Sequence, residues 1–154
     1  GIPCVAAIWL RYLPLQGLET FAWLVGAVWV TDLVAYVSGS LIRGAKLAPK
    51  ISPGKTWAGL TGAFFGAAVW GGAFASWVGA EAVLVFTVLG AMVAVLAQMG
   101  DLTVSYVKRR FGVKDASNLI PGHGGVLDRF DGFMIATPAL AALALFHKDD
   151  IFAW

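Results

Sequence analysis

Two stretches of the chain concentrate the side chains that could do chemistry. The first is Ser52-Pro53-Gly54-Lys55-Thr56-Trp57; the second runs from Gln98 to Asp131 and holds most of the remaining charge. In the first, Ser is a good N-cap and Pro suits the first helical position, so propensity predicts a helix start at Ser52-Pro53. A helix start also collects anions. Its free N–H groups, the positive end of its dipole, and the side chains of Ser52, Lys55 and Thr56 would all face a phosphate. Gly54-Lys55-Thr56 invites a P-loop reading, but that motif needs a Gly five positions before Gly54, where this chain has Pro49, and it needs a preceding strand, which we do not expect. The competing reading is an ordinary helix start with a snorkelling lysine.

In the second stretch, a helix over Gln98 to Arg110 would put Asp101, Ser105 and Lys108 at i, i+4 and i+7 on one face. An acid, a hydroxyl and a cation stacked there form either a surface ion pair or one wall of a metal and phosphate site. Further on, Gly122, Gly124 and Gly125 surround His123 in a loop able to bring backbone N–H groups close to a ligand. Asp128 and Asp131 follow at i and i+3, sharing a face if helical. Carboxylates beside phosphate-binding cations point to Mg²⁺, which takes hard oxygen ligands and commonly uses one or two carboxylates plus substrate phosphates. Zinc fits poorly, since the chain has one Cys and two His, and His147 lies at the far end of an apolar window. Asp32, in Thr31-Asp32-Leu33-Val34-Ala35-Tyr36, stands alone inside another apolar window. An acid at that depth is a functional candidate by default, with a structural hydrogen bond as the alternative.

The elements that position these groups must be membrane helices. Of 154 residues, 59% are apolar and only 13% charged, with a net charge of +2. Soluble domains carry about 25% charged residues, and so short a chain could not cover this much apolar side chain in water. A hydrocarbon core of ~30 Å needs about 20 helical residues. Phe21 to Ile42, Trp57 to Gly79 and Ala82 to Met99 meet that, and a fourth window, Phe130 to Phe146, is interrupted by Pro138, which membrane helices tolerate. Ile2 to Leu13 is too short and reads as a helix stub. The expected fold class is all-α, a polytopic transmembrane helix bundle of four spans plus that stub, its active-site loops on the cytoplasmic side. Because residue 1 is Gly rather than Met, we expect an N-terminal portion to precede the chain.

Charge sets the orientation. Arg43, Lys46, Lys50 and Lys55 lie between the first two windows, and Lys108, Arg109, Arg110 and Lys114 between the last two. By the positive-inside rule both connections are cytoplasmic. Those are also the connections that hold the chemical residues, a concentration that a transport pathway would not need. Gly62-Ala63-Phe64-Phe65-Gly66 is a GxxxG match; packing within the chain is the simpler reading and a homodimer face the sharper one.

From Ser105 before Lys108-Arg109, through Lys114-Asp115, to Pro121-Gly122-His123-Gly124-Gly125 and Asp128-Arg129-Phe130-Asp131, the residues resemble the signature of the phosphatidate cytidylyltransferases (CDP-diacylglycerol synthases). Asp32 with Tyr36 and Gly39, and Ser52-Pro53-Gly54-Lys55-Thr56-Trp57 with Gly59, look like that family's other marked stretches, so the similarity covers nearly the whole chain. Ala58 departs from it where many members carry Glu or Gln. Members have further N-terminal membrane helices, so the resemblance implies that residues 1–154 are a single integral membrane catalytic domain lacking them.

What the resemblance implies is transfer of CMP from CTP to phosphatidate in phospholipid biosynthesis, in the bacterial inner (plasma) membrane, with the active site facing the cytoplasm. Phosphatidate brings its own nucleophile, so catalysis reduces to positioning and charge neutralisation. The implied metal ligands are Asp101, Asp128 and Asp131 for Mg²⁺, a second cation being open and Asp32 an additional candidate. Catalysis would rest on Asp101, Lys108, Asp128 and Asp131. Substrate binding would fall to Ser52, Lys55, Thr56, Ser105, Lys108, Arg109, Lys114, His123, Gly124 and Gly125, with His123 either assisting pyrophosphate departure or orienting its loop. The expected partners are CTP, phosphatidate and membrane lipid, without nucleic acid, because the basic residues are few and lie at membrane connections. The rival readings are a related CTP-using membrane enzyme (a polyprenol kinase or a CDP-archaeol-type synthase) and, from another class, an ion transporter. The last predicts charge along several spans, and the second and third windows carry none.

Overall fold

The computed structural model describes residues 1–13, 17–113 and 130–146. Within them the order is α1 (Ile2–Arg11), α2 (Gly17–Ile42), β1 (Lys46–Ala48), β2 (Ser52–Thr56), α3 (Trp57–Val78), α4 (Val83–Arg110) and α5 (Phe133–Phe146). Three of the helices are long and apolar enough to cross a membrane: α2, α3 and α4, with 26, 22 and 28 residues. At 1.5 Å per residue these reach about 39, 33 and 42 Å, against a hydrocarbon core of ~30 Å. α5 is apolar but has only 14 residues, with Pro138 inside it. It is shorter than its window because Phe130, Asp131 and Gly132 make a turn ahead of it, Phe133 N–H donating to Phe130 O and Met134 N–H to Asp131 O. The third window, in contrast, is extended: α4 continues unbroken past Met99 through Asp101, Ser105 and Lys108.

α3 packs against both α2 and α4, and the residues it buries are Gly59, Ala63, Ala67, Gly71 and Ala75. With only hydrogen or methyl on that stripe, helix backbones come close, which is how membrane helices gain packing energy when lipid is as apolar as protein. At Gly71 and Gly90 the backbones of α3 and α4 come so close that a Cβ on Gly71 would run into the carbonyl oxygen of Phe86, and one on Gly90 into that of Ala67. Gly62 and Gly66 face Ser38 and Val34 of α2, so the GxxxG pair packs within the chain. Larger side chains fill the core where α2, α4 and α5 converge: Trp23, Leu24 and Val28 with Phe86 and Val93, and Leu140 with Ala136 and Ala144. The rings of Trp23 and Phe86 meet edge-on with centroids 5.9 Å apart. Trp70 Nε1 donates to Trp23 O at 3.0 Å, tying α3 to α2.

The described residues are helical as expected, with one small addition. β1 and β2 form a two-stranded antiparallel ribbon, Lys46 opposite Thr56 and Ala48 opposite Ser52. The helix predicted to start at Ser52-Pro53 therefore starts at Trp57, and Thr56 rather than Ser52 is its N-cap: Thr56 is extended (φ −124°, ψ 157°) and its side chain accepts from Gly59 N–H. Thr is also among the favoured caps, and Pro53 is tolerated because a two-stranded ribbon consists only of edges. The strand that the P-loop reading lacked is thus present as β2, but Pro49 still stands where that motif requires Gly.

Candidate functional site

The ribbon carries Lys55 on β2. β2 runs into α3 through Thr56, which is buried, 5% exposed, and held twice over. Its hydroxyl oxygen accepts Gly59 N–H at 3.0 Å, and Gly39 of α2 packs so close that a Cβ there would lie 2.9 Å from that oxygen. With Thr56 fixed, the preceding residue projects toward α4. Lys55 Nζ lies 2.7 Å from Asp101 Oδ2 and 3.3 Å from the carbonyl of Gln98 one turn earlier. Ser105, one turn later, donates to Asp101 Oδ1 at 3.1 Å. The i, i+4 face expected of this helix is therefore real, and its acid is engaged on both oxygens.

A third element closes the group. The turn at Asp131 crosses α4 at Gly100, where a Cβ would come within 2.6 Å of Asp131 O. Asp131 Oδ1 accepts Gly132 N–H at 2.8 Å. Burial, then the negative charge of Asp101 beside it, pushes the Asp131 carboxyl up from 3.8 to about 7. From α2, Asp32 and Tyr36 face the same space. Together with Lys55, Gln98, Asp101 and Asp131 they line a cavity of about 460 Å³. Among the described residues its lining holds three carboxylates, one lysine, and the hydroxyl-bearing Tyr36, Ser52 and Thr56.

The structure thus brings together Asp32, Ser52, Lys55, Thr56, Asp101, Ser105 and Asp131 from four separate elements. Lys108 lies on α4 one turn beyond Ser105. Arg109 is directed elsewhere: it is exposed and donates to Ile51 O at 3.4 Å and Val113 O at 3.5 Å, bracing the ribbon's turn against α4. Lys114, His123, Gly124, Gly125 and Asp128 lie outside the described residues. Gln98 was missed as a site residue, although its place three before Asp101 on the same helix face is a readable signal.

Among the described residues no three acids, histidines or cysteines converge closely enough to cage a metal by themselves. The donor chemistry nonetheless fits a hard cation. Asp131 retains its proton up to about 7 partly because Asp101 stands beside it, and a divalent ion between two such oxygens relieves that repulsion. Mg²⁺ asks for no more than one or two carboxylates when substrate phosphates complete its shell.

A model of the Cytidylyltransferase family matches residues 2–147. The phosphatidate cytidylyltransferase of Brucella abortus biovar 1 (strain 9-941) is 44% identical over 137 residues, 88% of this chain and 50% of the relative. That of Rickettsia felis is 37% identical over 150 residues, covering 88% and 64%, and that of Haemophilus influenzae 42% over 130, covering 81% and 45%. The chain spans about half the length of the first of these relatives.

Proposed function

The chain belongs to the cytidylyltransferase family, and from that premise we propose that it transfers CMP from CTP to phosphatidate, giving CDP-diacylglycerol and pyrophosphate for phospholipid synthesis. The observation that carries the reading is the Lys55–Asp101 pair, set beside Asp131 and Asp32 in one cavity. Such a pair is a resting arrangement for a site that takes an anion and a cation together. Lys55 would face the nucleotide's phosphate and Asp101 would be one of the residues to hold an accompanying cation, so neither charge would be left uncompensated.

The reaction needs no protein nucleophile. An oxygen of the phosphatidate phosphate forms a bond to the α-phosphorus of CTP, the bond from that phosphorus to the bridging oxygen breaks, and pyrophosphate leaves with the electron pair. Lys55 neutralises the triphosphate and Ser105 holds the Asp101 carboxylate in orientation. Thr56 and Ser52 offer hydroxyl donors from the ribbon side. Lys108, Lys114 and the glycine loop around His123 complete the phosphate contacts. Mg²⁺, held by Asp101 and Asp131 with Asp128, would supply charge neutralisation at the α-phosphate and the leaving group. Asp32 is a further carboxylate for a second cation.

In this reading the enzyme is an inner-membrane protein of a bacterium, the apolar stretch from Phe130 to Phe146 making a fourth crossing. The site faces the cytoplasm because the ribbon and the α4 end, where the two basic clusters meet, are joined by Lys55–Asp101 and Arg109–Ile51. A homodimer would use a face other than Gly62 and Gly66, which α2 covers. The test is conversion of phosphatidate and α-labelled CTP to labelled CDP-diacylglycerol by the full-length protein in mixed micelles. Label in lipid that depends on Mg²⁺ is the expected result. Label entering lipid only from the γ-phosphate would identify a kinase, and flux of metal across vesicles without CTP would identify a transporter.

A further inference from the structure

A second cavity, of about 400 Å³, adjoins the first. The two share Ala35, Tyr36 and Gly54 in their walls. Their chemistry is opposite. Where the first is lined by three carboxylates and a lysine, the second, among the described residues, is lined by Ser40, Arg43 and Lys46 and by no acid. Arg43 follows the last turn of α2 with a φ of 47°, which reverses the chain so that β1 begins with Lys46 on the same wall. Among the described residues neither cation has a carboxylate partner. A cavity with two cations and a hydroxyl suits a doubly charged phosphate, and a guanidinium suits it best, through paired N–H donors.

The surface beside it is apolar. Tyr36 is 75% exposed, and Val37, Leu41 and Ile42, on the same last turns of α2, are exposed as well. A ligand that satisfies both surfaces carries an anionic head and an apolar tail. Building on the transferase reading above, we propose that this second cavity seats the phosphomonoester of the acceptor lipid. Arg43 and Lys46 take two of its oxygens, and its acyl chains lie along the exposed face of α2. The oxygen left unheld faces past Tyr36 into the first cavity, where the nucleotide's α-phosphate belongs. Arg43 and Lys46 are then acceptor-positioning residues, not merely determinants of membrane orientation.

The experiment measures binding to the full-length protein in detergent with three probes at matched ionic strength: dioctanoyl phosphatidate, dioctanoylglycerol and inorganic phosphate. The expected result is that dioctanoyl phosphatidate binds tightest. Arg43→Gln with Lys46→Gln should weaken it about tenfold while CTP binding by the same sample is unchanged, and Arg43→Lys should recover part of the loss. Retained CTP binding also shows the variant folded. Unchanged phosphatidate affinity in the double variant overturns the proposal. So does inorganic phosphate binding as tightly as the lipid, which would make this a free-anion site, and so does loss of CTP binding in step with lipid binding, which would give the cavity to the nucleotide. The two readings separate cleanly. Phosphatidate bound through Arg43 and Lys46 without any CDP-diacylglycerol formed would sink the transferase and leave the seat; turnover with an unaltered KM for phosphatidate in the variant would sink the seat alone.

Discussion

Lys55 Nζ stands 2.7 Å from Asp101 Oδ2, with the two side chains 13% and 27% exposed. One belongs to a five-residue strand and the other to a 28-residue helix, so a single ion pair ties the ribbon to the longest element of the bundle. The bond has Gln98 O as a second acceptor for the ammonium and Ser105 as a second donor to the carboxylate. Little of either charge is left to water.

Removing the cation should therefore disable the site without unfolding the bundle. Lys55→Met is expected to lower kcat/KM for CTP by roughly a hundredfold, the scale of losing one positioned charge in a transition state. Steady-state kinetics alongside gel filtration would decide it. A variant within threefold of the parent would exclude Lys55 from phosphate binding.

Asp101→Asn and Asp128→Asn should each abolish turnover while the protein stays monodisperse in detergent and keeps its helical circular dichroism. The first removes the carboxylate between Lys55 and Asp131; the second rests on the Asp128-Arg129-Phe130-Asp131 spacing. Near-normal activity in either would refute its metal assignment.

Asp131 gives the site a pH signature. Its carboxyl titrates near 7 in the folded protein against 3.8 ordinarily, so between those values the folded state binds the extra proton. Metal-free stability should then fall as pH rises from about 4 to about 7, and the penalty is fully present above that. Since Mg²⁺ favours the ionised form, it should raise Tm more at pH 8 than at pH 6. Equal shifts at the two pH values, measured against EDTA controls, would remove Asp131 from the metal.

The close approach of α3 to α4 offers a packing test. Gly71→Val places methyl groups against the Phe86 carbonyl and should cost about 1–3 kcal/mol or more, seen as a lowered Tm in detergent. Gly54→Ala is the matched control, because a Cβ at Gly54 meets nothing within 4 Å, and its Tm should be unchanged.

Thr56→Val should lose the N-cap of α3 at about 1 kcal/mol, with Thr56→Ser close to the parent. Because Thr56 also anchors Lys55, the Val variant should lose activity beyond what its small loss of stability explains. Activity falling only in proportion to folded protein would show the cap to be purely structural.

Much of this was legible in the residues. The apolar windows over α2, α3 and α4 announce themselves by length and composition, and Asp101 and Ser105 announce theirs by a four-residue spacing that the helix converts into contact. Ser52-Pro53 misleads for a physical reason. Both residues are competent at a helix start and in an edge strand, and the choice is made by pairing with Lys46–Ala48 and by Gly39 closing over Thr56, neither of which is local. The partnership of Lys55 with Asp101, 46 positions apart in sequence, is invisible to spacing for the same reason. Arg109 carries the charge expected of a phosphate contact, and its hydrogen bonds to the backbone carbonyls of Ile51 and Val113 are a second role that spacing does not show.

α4 also acts as a measuring rod. It begins at Val83, and Asp101 comes eighteen residues later, about 27 Å along the axis at 1.5 Å per residue. The acid is thus set at nearly one hydrocarbon thickness from the helix's far end. A single residue inserted between Val83 and Gln98 would raise Asp101 by about 1.5 Å and swing it by roughly 100° around the axis, away from Lys55. The bundle tolerates changes in what lines this helix far better than changes in how many residues it has, since height and bearing are altered together.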